Sequence, residues 1–426
     1  KLSEAEFEAW RKSRLARRRT ELPVPTFIQA DGFGTSDTTR LNTLLARHVG
    51  VPVNIDEVER DIAFVAGLDR YETVTWRMIH DPAAGYGLRV LGRLKPYAPP
   101  FLMLGVNLEN TTSSDFRITA TARYLAFDVV GSGSELRLDG TIGSDPSLGF
   151  ELYRPIGSTP LFVAPYAGVN TQTFNVIVDD AVIARYGQTN SRVGLNLGVN
   201  LGAQSDLRAG AYIGRSTASI EVGDPGFPEL RGAESAATIA WRLDKQDRPV
   251  VPTGGLRSEV RLSHVLDSPD VAVGEESFDV DQTLTQLSAE ANQFWGFGPK
   301  NRLFLYGGLG TSFGSLPLPT NQFSLGTTFR LGAYDTGEIR GANYYIATGG
   351  YLRQIGRLPD FMGGPVYVGT WLENGDAFNQ WSNASWRTNG GAGVVLDTLV
   401  GPVVVAGTWG FDGRWRTYIG VGRLFR

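Results

Sequence analysis

The chain contains no cysteine, only three histidines and only three methionines in 426 residues. Without cysteine there is no disulfide scaffold, no thiolate zinc site and no cysteine nucleophile. Three histidines do not make a multi-histidine metal site. The charge is nearly balanced, with 40 basic and 44 acidic residues, so it lacks the basic surplus of a general nucleic-acid binder. No run of 18 apolar, uncharged residues occurs, so no helix of the membrane-spanning type is expected. The first residue is Lys1 rather than Met, which reads as a processed or truncated piece; a missing signal peptide then says nothing about compartment.

Glycine is abundant instead. There are 53 glycines, nearly double the usual ~7%. They follow no G-X-Y period. Such a load penalises helices and suits tight turns and closely approaching strands.

Residues 1–23 read as a basic linker helix. Ser3 and Glu6 form a capping-box pattern, S-x-x-E. Glu4, Glu6 and Glu8 come early; Arg11, Lys12, Arg14, Arg17, Arg18 and Arg19 come late, as the helix dipole favours. The first 19 residues carry a net charge of +4. Such a segment suits a solvated linker or a juxtamembrane stretch drawn to anionic headgroups.

Residues 24–97 read as one small α/β domain of order β-α-α-β-β. Pro25–Ala30 is a strand, stopped by Asp31-Gly32. Leu41, Leu44, Leu45 and His48 form a helical stripe. Asn54 caps a second helix with Val58, Ile62, Val65 and Ala66 on one face, and Gly67 stops it. Residues 71–79 and 87–94 alternate as strands. His48 and His80 read as a helix-face and a turn residue, not metal ligands, because no partner stands at ligand spacing.

Residues 98–426 follow a different rule, a repeated period of two. Val193, Leu195, Leu197, Val199 and Leu201 alternate with Gly194, Asn196, Gly198 and Asn200. Val366, Val368, Thr370 and Leu372 face away from Tyr367, Gly369, Trp371 and Glu373. Alternation alone also fits a soluble sandwich. The polar parity here is crowded with Gly, Asn, Arg, Glu and Tyr, as a wet, confined lumen requires. At roughly 20 residues per strand and connection, the region holds about sixteen strands, an even number. Closure removes the edges such a long sheet would otherwise expose. The expected fold is therefore mainly β: a 16-stranded antiparallel transmembrane β-barrel preceded by one small α/β domain. A long connection, about 314–341, interrupts the pattern after the eleventh strand. The last strand, with Trp415, Thr417, Ile419, Val421 and Phe425 on one face and Gly420 and Gly422 between, ends in an aromatic.

Three candidate sites for chemistry dissolve on inspection. Gly310-Thr311-Ser312-Phe313-Gly314 matches G-x-S-x-G. A nucleophile elbow needs a strand, a sharp turn and a helix; prolines 317 and 319 follow here. Asp139-Gly140 and Asp412-Gly413 are turn pairs that lack the D-G-G or D-G-A pattern of a patatin-type dyad. His264, beside Asp267, reads as an interface or loop residue. The carboxylate pairs Asp179-Asp180 and Glu275-Glu276 lack a calcium-loop ligand series. No catalytic residue, cofactor or metal is expected in this chain. The tryptophans 371, 381, 386, 409 and 415 suit aromatic girdles and lumen packing.

Two further runs carry a resemblance. Gly326-Thr327-Thr328-Phe329-Arg330-Leu331-Gly332-Ala333-Tyr334 lies in the long connection. Trp371-Leu372-Glu373-Asn374-Gly375 has the form aromatic-x-acid-x-Gly. With the β-α-α-β-β unit in front, the chain resembles the outer-membrane assembly and secretion superfamily (bacterial surface antigen type). Its members place POTRA domains before a barrel and fold a V-R-G-F loop into the lumen. Arg330 stands two residues ahead of the position where that motif carries its arginine. The resemblance implies an arginine–acid contact pinning the loop, here Arg330 to Glu373 with Arg340 as the competing donor. It also marks Gly326, Arg330, Leu331, Gly332 and Tyr334 as the loop motif, and Trp371, Glu373 and Gly375 as its acidic partner. Ile419, Val421, Gly422 and Phe425 correspond to the C-terminal signal of such barrels, read by the barrel-assembly machinery during biogenesis.

A single POTRA unit behind a basic linker is similar to patatin-like autotransporters (type V secretion, d subclass). That resemblance implies an outer-membrane translocator with its POTRA domain in the periplasm, and edge addition of an extended segment to that domain's second and third strands. It anchors or exports an N-terminal patatin-like phospholipase that is not in this chain. The expected partners are outer-membrane lipid, the assembly machinery and the passenger, with no nucleic acid; a homodimer is compatible but not compelled. The rival readings are an assembly or secretion pore acting on separate polypeptides, and a passive porin-like channel.

Overall fold

The fold is described from a computed structural model. It covers residues 3–16, 22–66, 71–94, 100–110, 116–131, 133–157, 159–178, 181–202, 204–248, 251–274, 276–279, 283–335, 337–359, 361–398 and 401–421. The expectations placed on Arg17–Arg19, Gly67, Asp179, Asp180, Glu275, Gly422 and Phe425 lie outside the described residues. No helix among the described residues is long and apolar enough to cross a membrane. The chain divides into an N-terminal unit and, from Pro100, a barrel unit.

Helix α1, Glu4–Ala16, begins at the expected capping box. The Ser3 amide donates to Glu6 at 2.7 Å, and the Glu6 amide donates back to Ser3 Oγ at 3.4 Å. Then come β1 (Pro25–Asp31), α2 (Thr35–Leu45), α3 (Ile55–Ala66), β2 (Tyr71–Asp81) and β3 (Gly85–Leu94). Asn54 Oδ1 accepts from the Glu57 amide at the start of α3. The helical stripes bury Leu41, Leu45, Val58 and Ile62 against Leu88 and Val90 of the sheet. His48, buried in the 3-10 turn after α2, places Nε2 2.7 Å from Asp61, which tethers the turn to α3. The Arg89 guanidinium beside Asp31 holds that carboxyl below the usual carboxylate range.

The sheet order is β1-β3-β2, with β1 and β3 parallel. This corrects one expectation. The third strand is central and hydrogen-bonded on both sides, so it cannot receive an added segment. The free edges belong to β1 and β2.

The barrel strands follow in order: β4 (Phe101–Asn110), β5 (Phe116–Phe127), β6 (Glu135–Gly143), β7 (Ser147–Pro155), β8 (Leu161–Val178) and β9 (Ala181–Asn200). Next come β10 (Ser205–Gly223), β11 (Glu229–Asp244), β12 (Gly255–Asp267), and the short hairpin β13 (Asp270–Val273) and β14 (Glu276–Phe278). After them stand β15 (Leu284–Phe297) and β16 (Asn301–Thr311); β17 (Phe323–Leu325) and β18 (Ile339–Gly341) pair with each other inside the long connection. The last five are β19 (Asn343–Arg357), β20 (Gly363–Phe378), β21 (Arg387–Thr398), β22 (Gly401–Gly410) and β23 (Trp415–Val421). The sheet closes on itself, β23 beside β4. Setting aside the two small hairpins leaves sixteen antiparallel wall strands, as the period-two count predicts. The β13–β14 hairpin was not foreseen, and β8, β10 and β11 extend four to six residues beyond the strands expected at 160–174, 206–217 and 235–244.

Parity is obeyed along the walls. Val193, Leu195, Leu197, Ile213, Leu305, Leu372 and Ile419 point outward and are exposed. Tyr367, Trp371 and Glu373 point inward and are buried. Glycine serves the inward face by making room. A Cβ on Gly194 would lie 2.5 Å from the Tyr166 ring, and one on Gly391 would lie 2.2 Å from Trp371. Large lumen rings thus lie across glycines on the neighbouring strand.

Candidate functional site

The long connection, residues 312–342, folds against inward-facing residues of the barrel. Its centre is a tight turn. The Gly326 amide donates to the Arg330 carbonyl at 2.8 Å, and the Arg330 amide donates back to Thr327 at 2.8 Å. Gly326 adopts φ +113, and a Cβ there would overlap the Asp335 carbonyl at 1.9 Å, so only glycine fits. Phe329 and Leu331 both take positive φ, 63° and 62°. Such strain costs of order 1–3 kcal/mol per residue and persists only where the surroundings hold it. Phe329 is held by the rings of Phe304 and Trp371, at centroid distances of 5.6 and 4.9 Å. Its carbonyl accepts from Thr348 Oγ1 at 2.7 Å. Leu331 is fully buried beside Leu325, Tyr334 and Ile339.

The turn sends its two functional groups to different strands. Arg330 does not reach Glu373. Its Nη1 donates to Glu290 on β15 at 2.7 Å and to the Tyr306 hydroxyl at 2.9 Å. The Tyr344 hydroxyl donates to the same Glu290 oxygen at 2.9 Å, and its ring centroid lies 5.5 Å from the guanidinium carbon. Arg340 does not reach Glu373 either. It donates to the Pro319 carbonyl at 2.6 Å and covers the Phe174 ring at 4.5 Å. The expected arginine–Glu373 contact is therefore replaced.

Glu373 is fully buried on β20. Its Oε2 accepts from the Gly332 amide at 2.6 Å, and its Oε1 accepts from Trp371 Nε1 at 3.0 Å. Gly332 stands two residues after Arg330, where the resembled motif carries its arginine. The position still meets the acid, but through the backbone N–H instead of a guanidinium. The physical reason is the turn. With Phe329 and Leu331 left-handed, the chain turns at Arg330, so side chain 330 meets β15 and amide 332 meets β20, with β16 and β19 between them.

The far end of the motif is anchored on the last strands. Tyr334 donates to Asp412 at 2.6 Å and lies between the guanidinium groups of Arg387 and Arg414. Arg416 of β23 donates to the Tyr334 carbonyl at 2.5 Å and pairs with Asp335. Arg414 pairs with Glu338. Tyr306, Glu290, Thr348, Asp412, Arg414 and Arg416 were missed by sequence reasoning. For Glu290, Tyr306, Thr348 and Arg416 the available signal was lumen parity on their strands, which marks too many residues to select these; Asp412 and Arg414 lie in the turn between β22 and β23, where parity gives no signal. Gly375 follows Glu373 on β20, where a Cβ would press on Ile346. Ile419 and Val421 lie on β23 with Ile419 outward.

Ser312 lies buried at the end of β16 and accepts from Gln286 Nε2 at 3.1 Å. A left-handed turn at Phe313 and Gly314 follows it, not a helix, so the elbow context is missing. His264 Nδ1 lies 2.9 Å from Thr285 Oγ1. Among the described residues no group of three or more His, Asp or Glu side chains is arranged to hold a metal ion.

No protein-family profile matches the sequence. No curated protein matches it either. The fold is nevertheless shared with solved β-barrel structures. It superposes on BamA from Haemophilus ducreyi lacking POTRA domains 1–3 with a TM-score of 0.64 at 13% identity, covering 95% of this chain and 85% of that one. It superposes on CdiB from Acinetobacter baumannii with a TM-score of 0.61 at 10% identity, covering 94% of this chain and 74% of that one. CdiB from Escherichia coli gives 0.61 at 13% identity, covering 94% and 76%.

Proposed function

We propose that the chain is an outer-membrane translocator whose small N-terminal unit is a periplasmic POTRA domain, and that it exports or displays an N-terminal patatin-like phospholipase passenger. The carrying observation is the pairing of a closed sixteen-strand wall with a loop fastened to its inner face through Arg330 and Gly332. An apolar outer face against a polar, ion-paired inner face is what a bilayer demands of a barrel. This chain then acts by binding, orientation and passage, and the passenger supplies any catalysis.

The test is surface display. An epitope-tagged polypeptide joined ahead of Lys1 is expected to become accessible to protease on intact cells. A tag that stays protected while the barrel is inserted sinks the translocator reading. The residues encoded ahead of Lys1 decide the passenger: G-x-S-x-G with D-G-G or D-G-A supports it, and further POTRA units overturn it. A second reading, a pore acting on separate polypeptides, is supported by the shared fold with both BamA and CdiB. It predicts that separate polypeptides, rather than the joined one, depend on the barrel.

A further inference from the structure

The outward face of β9, β10 and β11 changes chemistry along one row of the sheet. Val193 and Ile213 stand opposite each other in register and are 61% and 71% exposed, the last of an apolar run that includes Leu195 and Leu197. The next outward row is Ser191, Arg215 and Ala233; the row after it is Thr189, Thr217 and Arg231. Both arginines are exposed. They are diagonal neighbours on adjacent strands, a spacing of about 7–8 Å between backbones that long side chains easily bridge. No acidic residue stands in either row across these three strands. Asp270 of β13 stands opposite Arg231, and Glu229 shares its parity two residues away on β11, so Arg215 is the less compensated of the two.

We infer that Arg215 and Arg231, with the hydroxyls of Ser191, Thr189 and Thr217, bind the phosphate of a membrane lipid headgroup. The inference rests on the reading of the barrel as membrane-spanning. The register then places both guanidinium groups one and two rows beyond the hydrocarbon boundary, at headgroup depth. Arginine there extends its stem along apolar surface and keeps its fork in the polar layer. A guanidinium fork matches phosphate oxygens bidentately. Three hydroxyls beside it can donate to remaining phosphate oxygens or to headgroup sugars. A lipid is favoured over free phosphate because the patch abuts exposed Val193 and Ile213, which would pack the same molecule's acyl chain.

The test is native mass spectrometry of the full folded chain in detergent, titrated with diphosphoryl lipid A and with its dephosphorylated form. Arg215→Ala and Arg231→Ala are each expected to weaken binding of the phosphorylated lipid about fivefold, with Arg215→Ala the larger. The dephosphorylated lipid should bind equally to all variants. Arg215→Lys should recover part, but not all, of the affinity lost in Arg215→Ala, because it keeps the charge and loses the fork. Equal binding of the two lipids by the native chain overturns the inference. So does an unchanged affinity in the double alanine variant. Competition by millimolar inorganic phosphate as effective as that by lipid overturns the lipid as the ligand. A chain that does not insert into bilayers at all defeats the membrane reading instead, and that outcome is separate because insertion is scored before titration.

Discussion

Glu373 and Arg330 show how little separates a motif from its function. A buried carboxylate needs donors, and Glu373 finds them in a backbone amide and an indole. Replacing Glu373 with Ala leaves the Gly332 and Trp371 N–H groups without that acceptor, at a cost of about 1–3 kcal/mol. The expected outcome is faster proteolysis within 312–342 and a lower unfolding temperature. A wild-type cleavage pattern in Glu373→Ala would show that the clamp is idle. Arg330 is coupled elsewhere. A double-mutant cycle of Arg330→Ala with Glu290→Gln should give an interaction of about 0.5–3 kcal/mol. The matching cycle with Glu373→Gln should give a smaller one. The reverse order would restore the arginine–Glu373 pair that the motif alone suggests.

At the scale of elements, the strands were legible and the loop was not. Period-two alternation is a local property set by which solvent meets which face, so strands such as 193–201 and 366–373 declare themselves. The extra length of β8, β10 and β11 escaped because residues 175–178, 218–223 and 229–234 do not alternate cleanly between apolar and polar types: Val176, Ile177 and Val178 run together, and Gly232 and Ala233 carry little contrast. The loop escaped for a different reason. Its path depends on two left-handed non-glycine residues, Phe329 and Leu331, and those conformations are imposed by the lumen, not by local preference. In the small unit the order of elements was readable, whereas the central place of β3 depends on pairing between residues far apart in sequence. The lumen glycines can be tested at this scale. Gly391→Ala places a methyl carbon about where the Trp371 ring now lies. Displacing that ring should cost about 1–3 kcal/mol and loosen the Trp371–Glu373 bond. Thermal unfolding of the detergent-folded protein checks it, and an unchanged midpoint would show that the indole has room to move.

For the whole molecule, the question is whether the wall alone or the wall with its loop is the working unit. A passive channel needs only the wall. A lumen in which residues 312–342 are fastened to β15, β19, β20 and β23 should conduct weakly and in small steps. Deleting 313–338 is expected to raise single-channel conductance in planar bilayers severalfold while leaving the heat-dependent gel mobility of the barrel intact. Equal conductance with and without the loop would favour the porin reading.

The neighbouring of β4 and β23 has a consequence for how the protein comes to exist. The first wall strand starts at Phe101 and the last ends at Val421, so the pairing that closes the circle joins the two most distant parts of the wall. A chain emerging from the ribosome can make every hairpin in order, yet cannot close until its last strand is available. That one ladder has a very large sequence separation while the others join successive strands, and loop closure over its span precedes any reward from it. Until then both end strands present unpaired backbone edges, which associate readily with other strands. Closure is therefore the last step of building the wall, and whatever holds the two end strands apart from other chains until then decides the yield.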